Sequence, residues 1–218
     1  YALMLRTLDH YREHNLEVAI YGVSTGVIVP NIFTVERHPF IEILRWARLH
    51  HVIILSGGPC ATIEARNLVD SGLVDVAFSG EAEDKLRYFI GALFDDRYDG
   101  PKAGIGFLSD DKYTQTEGDA SMVAFTQDIL PTYDQVRVEE YHEVGCLSPF
   151  SRMVGVDVPY ASIQLVRGCR MKCTFCGVSQ YRGSNAVKLS PVDTLFAEIE
   201  YLVGRGVRHF EWVDEDWL

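Results

Sequence analysis

The sequence predicts an α/β protein built in two parts. Three observations carry that expectation. Aliphatic runs of strand length alternate with amphipathic runs of helix length across roughly the first hundred residues, joined by short connections. The aliphatic runs close on small, glycine-bearing turns, as in "VSTG", "LSGGP" and "FSGEA". The same alternation restarts near residue 159, after a stretch of different character. Strand-helix-strand order with short loops implies a parallel sheet with helices on both faces, and ligands of such sheets sit at the carboxyl ends of the strands.

Taken in order, residues 2–16 read as a helix, with Leu3, Leu5, Leu8 and Tyr11 recurring on one side. "VAIYGVST" is a buried strand. "PFIEILRWARLH" is helical, because Phe40, Ile43, Leu44 and Ala47 are spaced i, i+3, i+4, i+7. "VIILSGGP" is a strand running into a glycine turn, "TIEARNLVDSG" a helix closed by Gly72, "VDVAFSGEAED" a second strand and turn, and "DKLRYFIGALF" a helix. The candidate ligand loops of this unit are therefore Ser24–Gly26, Ser56–Pro59 and Ser79–Glu83. Residues 1–100 make a Rossmann-like (flavodoxin-like) domain on this reading.

Residues 101–158 read as a linker and cap. "GIGFLSDDKYTQTEG" is two strands around a turn, and "ILPTYDQVRVEEYHEV" is a mixed segment. Residues 159–218 read as the start of a (β/α) barrel: strand "YASIQLVRG", helix "SPVDTLFAEIEYLVGRG" and strand "VRHFEWV". In that helix Ser190 is the expected N-cap and Gly206 the stop. Leu195, Phe196, Ile199, Leu202 and Val203 form one apolar stripe. A barrel of eight βα units takes about 250 residues. With Tyr1 at the start and "EWVDEDWL" at the end, the expectation is a piece of a longer protein.

A formal charge of −11 argues against a general nucleic-acid surface, which needs clustered Lys and Arg. No apolar run reaches the roughly 18 residues that span a bilayer. Five cysteines, three of them clustered, do not form a secreted disulfide framework, and the cytoplasm is the default location.

The chemistry concentrates in "QLVRGCRMKCTFCGVSQ", where Cys169, Cys173 and Cys176 stand at spacing C-x3-C-x2-C. Structural zinc wants four protein ligands, so three thiols leave it one short unless a distant residue such as Cys146 or His142 completes the set. A 4Fe–4S cubane held by three thiolates leaves one iron without a protein ligand, free to bind a small molecule. Gly168 and Gly177 let the backbone turn tightly around such a cluster. Cys60, Cys146 and the seven histidines show no ligand spacing, and no general acid, base or nucleophile stands out as catalytic.

"GCRMKCTFCG" resembles the cysteine signature of the radical S-adenosylmethionine (radical SAM) superfamily. The resemblance implies that the open iron is chelated by S-adenosylmethionine, which the reduced cluster cleaves to a 5′-deoxyadenosyl radical. It places Phe175 near the adenine and Gly177 beside the same ligand. Asp214 and Glu215 stand where many members carry a Gly-Gly-Glu stretch that receives the methionine amino group. "SGGPCATIEARNLVDSGLVDVAFSGEAEDKL" resembles the cobalamin-binding-type domain ahead of the barrel in one large subgroup. Cys60 replaces a usual His there, Ala82 replaces a Gly, and no D-x-H-x2-G motif is present. The resemblance covers roughly residues 50–95 and 158–218. It implies Ser24, Gly57, Gly58 and Gly80 as cobalamin contacts, and a flavodoxin- or ferredoxin-type electron donor as partner. It also implies radical methylation or related chemistry. The alternatives are a methylthiotransferase-like enzyme whose first domain binds no cobalamin, and a non-enzymatic iron–sulfur or zinc module.

Overall fold

The computed structural model describes residues 20–24, 38–49, 52–94, 102–117, 133–140, 159–178 and 187–216. The helix expected over residues 2–16 lies outside these. The chain divides into two compact units, residues 1–123 and 124–218.

The first unit is a five-stranded sheet with helices on both faces. In chain order it contains β1 (Ile20–Ser24), α1 (Pro39–Arg48), β2 (Ile53–Gly57), α2 (Pro59–Asp70), β3 (Val76–Phe78), α3 (Glu83–Phe94), β4 (Ile105–Ser109) and β5 (Lys112–Gln115). Strands lie side by side in sequence order. β1, β2 and β3 are parallel, in a register that pairs Ser24 with Gly57 and Ser56 with Ala77. β4 runs antiparallel to β3, and β5 antiparallel to β4.

The period of two along the central strands sorts their side chains into two cores. Ile54 and Ala77 face one layer with Leu44 and Ala47 of α1 and Ala61, Ala65, Leu68 and Val69 of α2. Leu55, Val76 and Phe78 face the other, against Tyr88, Phe89 and Ile90 of α3. Full burial of a side chain such as Ile54 or Leu68 is worth about 1.5–3 kcal/mol. At the amino ends of the strands, Asp75 accepts from the Ile54 amide at 2.7 Å and pairs with Arg48 at 2.9 Å, which locks α1 to β3.

The β4–β5 hairpin is where the sequence put it, around Asp110 and Asp111. Both have positive φ, 50° and 58°, as the two central residues of a tight hairpin turn require. It does not sit in a linker, however: Ile105 is buried in the first unit's core and the hairpin completes that sheet. Residues 133–140, two short 3-10 turns, pack instead into the second unit through the buried Val138.

The described residues of the second unit form a β-α-β module with a short added antiparallel pair. Its elements are β6 (Tyr160–Ile163), β7 (Val166–Arg167), β8 (Lys188–Leu189), α4 (Val192–Gly204) and β9 (His209–Trp212). β6 and β9 pair in parallel, with Tyr160 opposite His209 and Ile163 opposite Trp212. The core is Ala161, Ile163, Leu195, Leu202 and Val207, with Val138 and a partly buried Ile199. Three details depart from the sequence reading. The expected single strand "YASIQLVRG" breaks after Ile163, and β7 pairs antiparallel with β8. Ser190 does not cap α4; it is buried, its amide donates to the Leu165 carbonyl at 2.8 Å, and Pro191 takes the N-cap position. Phe196 and Val203 are exposed, because at 100° per residue they stand a quarter turn from the Leu195, Ile199 and Leu202 line.

The helix stop is as expected. Gly206 has φ +94°. Its amide reaches the Val203 carbonyl at 3.0 Å and the Val207 amide reaches the Leu202 carbonyl at 3.0 Å. That is the paired closure of a Schellman motif, with Val207 packed with Leu202 in the core. Among the described residues no helix is long and apolar enough to cross a membrane.

Candidate functional site

The cysteine loop leaves β7 at Gly168, whose φ of +90° turns the chain out of the strand. Cys169 and Cys176 are half-buried and Cys173 is exposed; none forms a disulfide. The Met171 amide donates to Cys169 Sγ at 3.4 Å, and the Cys176 amide donates to the Cys173 carbonyl at 3.1 Å. The first contact supports the Cys169 sulfur, and the second closes the turn that carries the other two thiols. Phe175 is 92% exposed, an aromatic face presented without protein cover. Among the described residues no three His, Cys, Asp or Glu side chains already stand together as one metal-ion site. The donor set itself, three thiols within eight residues of one loop, fits a cluster that distributes its thiolates over separate irons.

Behind the loop lies the acidic end of β9. The amides of Leu165 and Val166 both donate to Asp214 Oδ1, at 2.8 and 2.7 Å. The Gly168 amide donates to Glu215 Oε2 at 2.5 Å. The Arg170 amide donates to Asp216 Oδ2 at 3.2 Å, and Arg170 Nε pairs with the same oxygen at 3.3 Å. Asp214 and Glu215, singled out in the sequence for S-adenosylmethionine, thus bond to the backbone of the loop. Asp216 and Arg170 join them. The sequence signal was the unbroken acidic run; what it lacked was the loop's path.

The second candidate site is the carboxyl edge of the first sheet. Ser24 and Gly57 are register neighbours there. Gly58 ends the next turn with φ +91° and ψ −177°, a region only glycine occupies readily. Gly80 follows β3 with φ +75°. Thr62 Oγ1 ties two of these turns together: it donates to the Gly58 carbonyl at 3.0 Å and accepts from the Gly80 amide at 2.8 Å. Lys85 Nζ donates to the Ser79 carbonyl, and burial holds its pKa below the usual lysine range, against the opposing pull of Glu81 and Glu83. The sequence reading named neither Thr62 nor Lys85. A threonine in the first turn of a helix is a weak signal for bonding back to the carbonyl four residues earlier. Cys60 is an ordinary buried residue packed against Ile41, and His38 caps α1 by accepting from the Phe40 amide at 3.2 Å.

The chain thus carries a three-thiol loop within a β-α-β module and, in its first unit, a Rossmann-like sheet. The solved structures share that fold. The radical S-adenosylmethionine methyltransferase TsrM from Kitasatospora setae, with tryptophan and an S-adenosylmethionine analogue bound, matches 97% of this chain and 40% of its own at TM-score 0.64 and 18% identity. TsrM with cobalamin and a [4Fe-4S] cluster bound matches 94% of this chain and 39% of its own at TM-score 0.62 and 16% identity. In sequence the chain is similar to ribosomal protein uS12 methylthiotransferases RimO. It is 36% identical to that of Frankia alni over 58 residues, 27% of this chain and 10% of the relative. It is 42% identical to that of Alkalilimnicola ehrlichii over 57 residues, 26% and 12%. With Salinispora arenicola the figures are 36% over 81 residues, 37% and 15%. The chain thus spans between 10% and 15% of these relatives' length. No family model matches.

Proposed function

We propose that the chain carries the cluster-binding part of a radical SAM enzyme, with Cys169, Cys173 and Cys176 holding a 4Fe–4S cluster. The observation that carries this reading is the three-thiol loop, mounted at the end of a β-α-β module and gripped from behind by a neighbouring strand end. When bound, the cluster would supply the electron that cleaves S-adenosylmethionine reductively, with one iron left open by the three-thiolate set. The chain's own residues do the rest: Gly168 turns the loop outward, the Met171 amide supports the Cys169 sulfur, and Phe175 offers an exposed ring for the adenine to stack on. The electron would come from a small one-electron donor of flavodoxin or ferredoxin type.

The sheet edge formed by Ser24, Gly57, Gly58 and Gly80 supports a cobalamin site, and with it radical methylation. The likeness to TsrM favours this version. The sequence similarity to RimO favours the second reading, a methylthiotransferase-type reaction without cobalamin. Retention of hydroxocobalamin through gel filtration separates them: retention supports methylation, and its absence supports the second reading. For the cluster, anaerobic reconstitution should load about four irons per chain. Stoichiometric zinc without iron uptake would defeat the proposal and leave a structural module.

A further inference from the structure

The parallel pairing of β6 with β9 ends where the Val213 amide meets the Ile163 carbonyl at 3.1 Å. Beyond that point the two segments still run together, but side chains replace the backbone on one side. Asp214 takes the amides of Leu165 and Val166, Glu215 takes Gly168 and Asp216 takes Arg170. The backbone bends at Leu165, Gly168 and Arg170, with Gly168 at φ +90°, and the carboxylates take the amides that these bends turn toward them. Two adjacent amides bent onto one Asp214 oxygen also account for the break between β6 and β7. Bonds from amides to ionised carboxylates are roughly twice as strong as neutral ones.

We infer that Asp214, Glu215 and Asp216 are positioning residues for the metal centre: three successive carboxylates that pin the bent path of residues 165–170 by its amides. Cys169 is thereby presented in a fixed place before any metal arrives. Among the described residues the other half of the loop shows no such ladder; Cys173 and Cys176 ride on a turn closed by the Cys176 amide on the Cys173 carbonyl. Cys169 is the pre-set ligand, and Cys173 and Cys176 close onto the cluster. The last step rests on the cluster reading above; the ladder does not.

The test follows amide exchange residue by residue in the protein without metal. The amides of Val166, Gly168 and Arg170 should exchange at least about tenfold more slowly than those of Lys172 and Thr174, the factor expected for one charge-assisted bond that must open first. Glu215→Ala should bring the Gly168 amide to the loop-tip rate, and Glu215→Gln, which keeps an acceptor oxygen, should restore most of the protection. In the loaded protein Glu215→Ala should release iron about tenfold faster. Glu215→Gln should instead shift the cluster potential to more positive values, because it removes a negative charge that opposes added electrons. Equal exchange rates along residues 166–174 in the unaltered protein would overturn the inference, whether or not any variant folds. So would iron release and potential unchanged in both variants. A protein that shows the exchange pattern but takes up no iron would defeat the cluster reading alone.

Discussion

Thr62→Val removes a single hydroxyl at nearly constant shape, and the structure fixes what is lost. The hydroxyl donates to the Gly58 carbonyl and accepts from the Gly80 amide. Gly58's carbonyl keeps a partner in the Thr62 amide at 3.0 Å, so that loss stays below about 1 kcal/mol. Gly80's amide loses the acceptor that holds its turn, at about 1–3 kcal/mol. The expected total is about 2 kcal/mol. For a unit of this size that lowers the midpoint of thermal unfolding by roughly 10 °C. Urea unfolding followed by far-ultraviolet circular dichroism should show a lower midpoint at unchanged slope. Thr62→Ser, which keeps the hydroxyl, should recover most of the loss. If the valine variant lies within about 0.5 kcal/mol of the parent, or serine fares no better than valine, the two glycine turns are not coupled through this side chain.

Three further outcomes are expected. Gly58→Ala should cost about 1–3 kcal/mol because of its φ and ψ, whereas Gly57→Ala should be tolerated, its new Cβ meeting only Ala82 Cβ at an ordinary 3.6 Å; equal unfolding midpoints would contradict this. Thr194→Val should be neutral or stabilising by up to about 1 kcal/mol, since the Thr194 hydroxyl is buried without a partner among the described residues, and a clear loss in urea midpoint would reveal one. The Arg205 hydrogen bond, with its bonds at 2.7 and 2.9 Å, holds the Glu139 carboxyl below the usual range. The stability from this pair is complete above the ordinary carboxylate pKa and is lost only as pH falls through the depressed value. The near-ultraviolet signal of the Tyr133–Tyr201 stack should therefore persist through about pH 4.5 in the parent and fade earlier in Arg205→Gln.

Most of the architecture was legible because period and turn chemistry encode it locally. The i, i+3, i+4, i+7 spacing in α1, the aliphatic run of β2, the paired aspartates of the β4–β5 turn and the Gly206 stop are each decided within a few residues. What escaped depends on distant partners. Nothing in "GIGFLSDD" shows that the hairpin pairs with Val76–Phe78. Ser190 looked like a cap because the claim of the Leu165 carbonyl on its amide comes from outside the helix. The cysteine loop was visible from its spacing alone. The destination of Asp214 and Glu215 was not, because the amides they hold lie 47 to 49 residues earlier in the chain.

The central claim is that three thiolates hold a cluster with one iron left open for S-adenosylmethionine. Electron paramagnetic resonance of the anaerobically reconstituted, dithionite-reduced protein tests it most directly, before and after S-adenosylmethionine is added. A reduced-cluster signal that changes shape on addition, and that vanishes in Cys169→Ala, Cys173→Ala and Cys176→Ala but survives in Cys60→Ala, is the predicted result. A signal indifferent to S-adenosylmethionine, or one that survives loss of any of the three loop cysteines, would contradict the account.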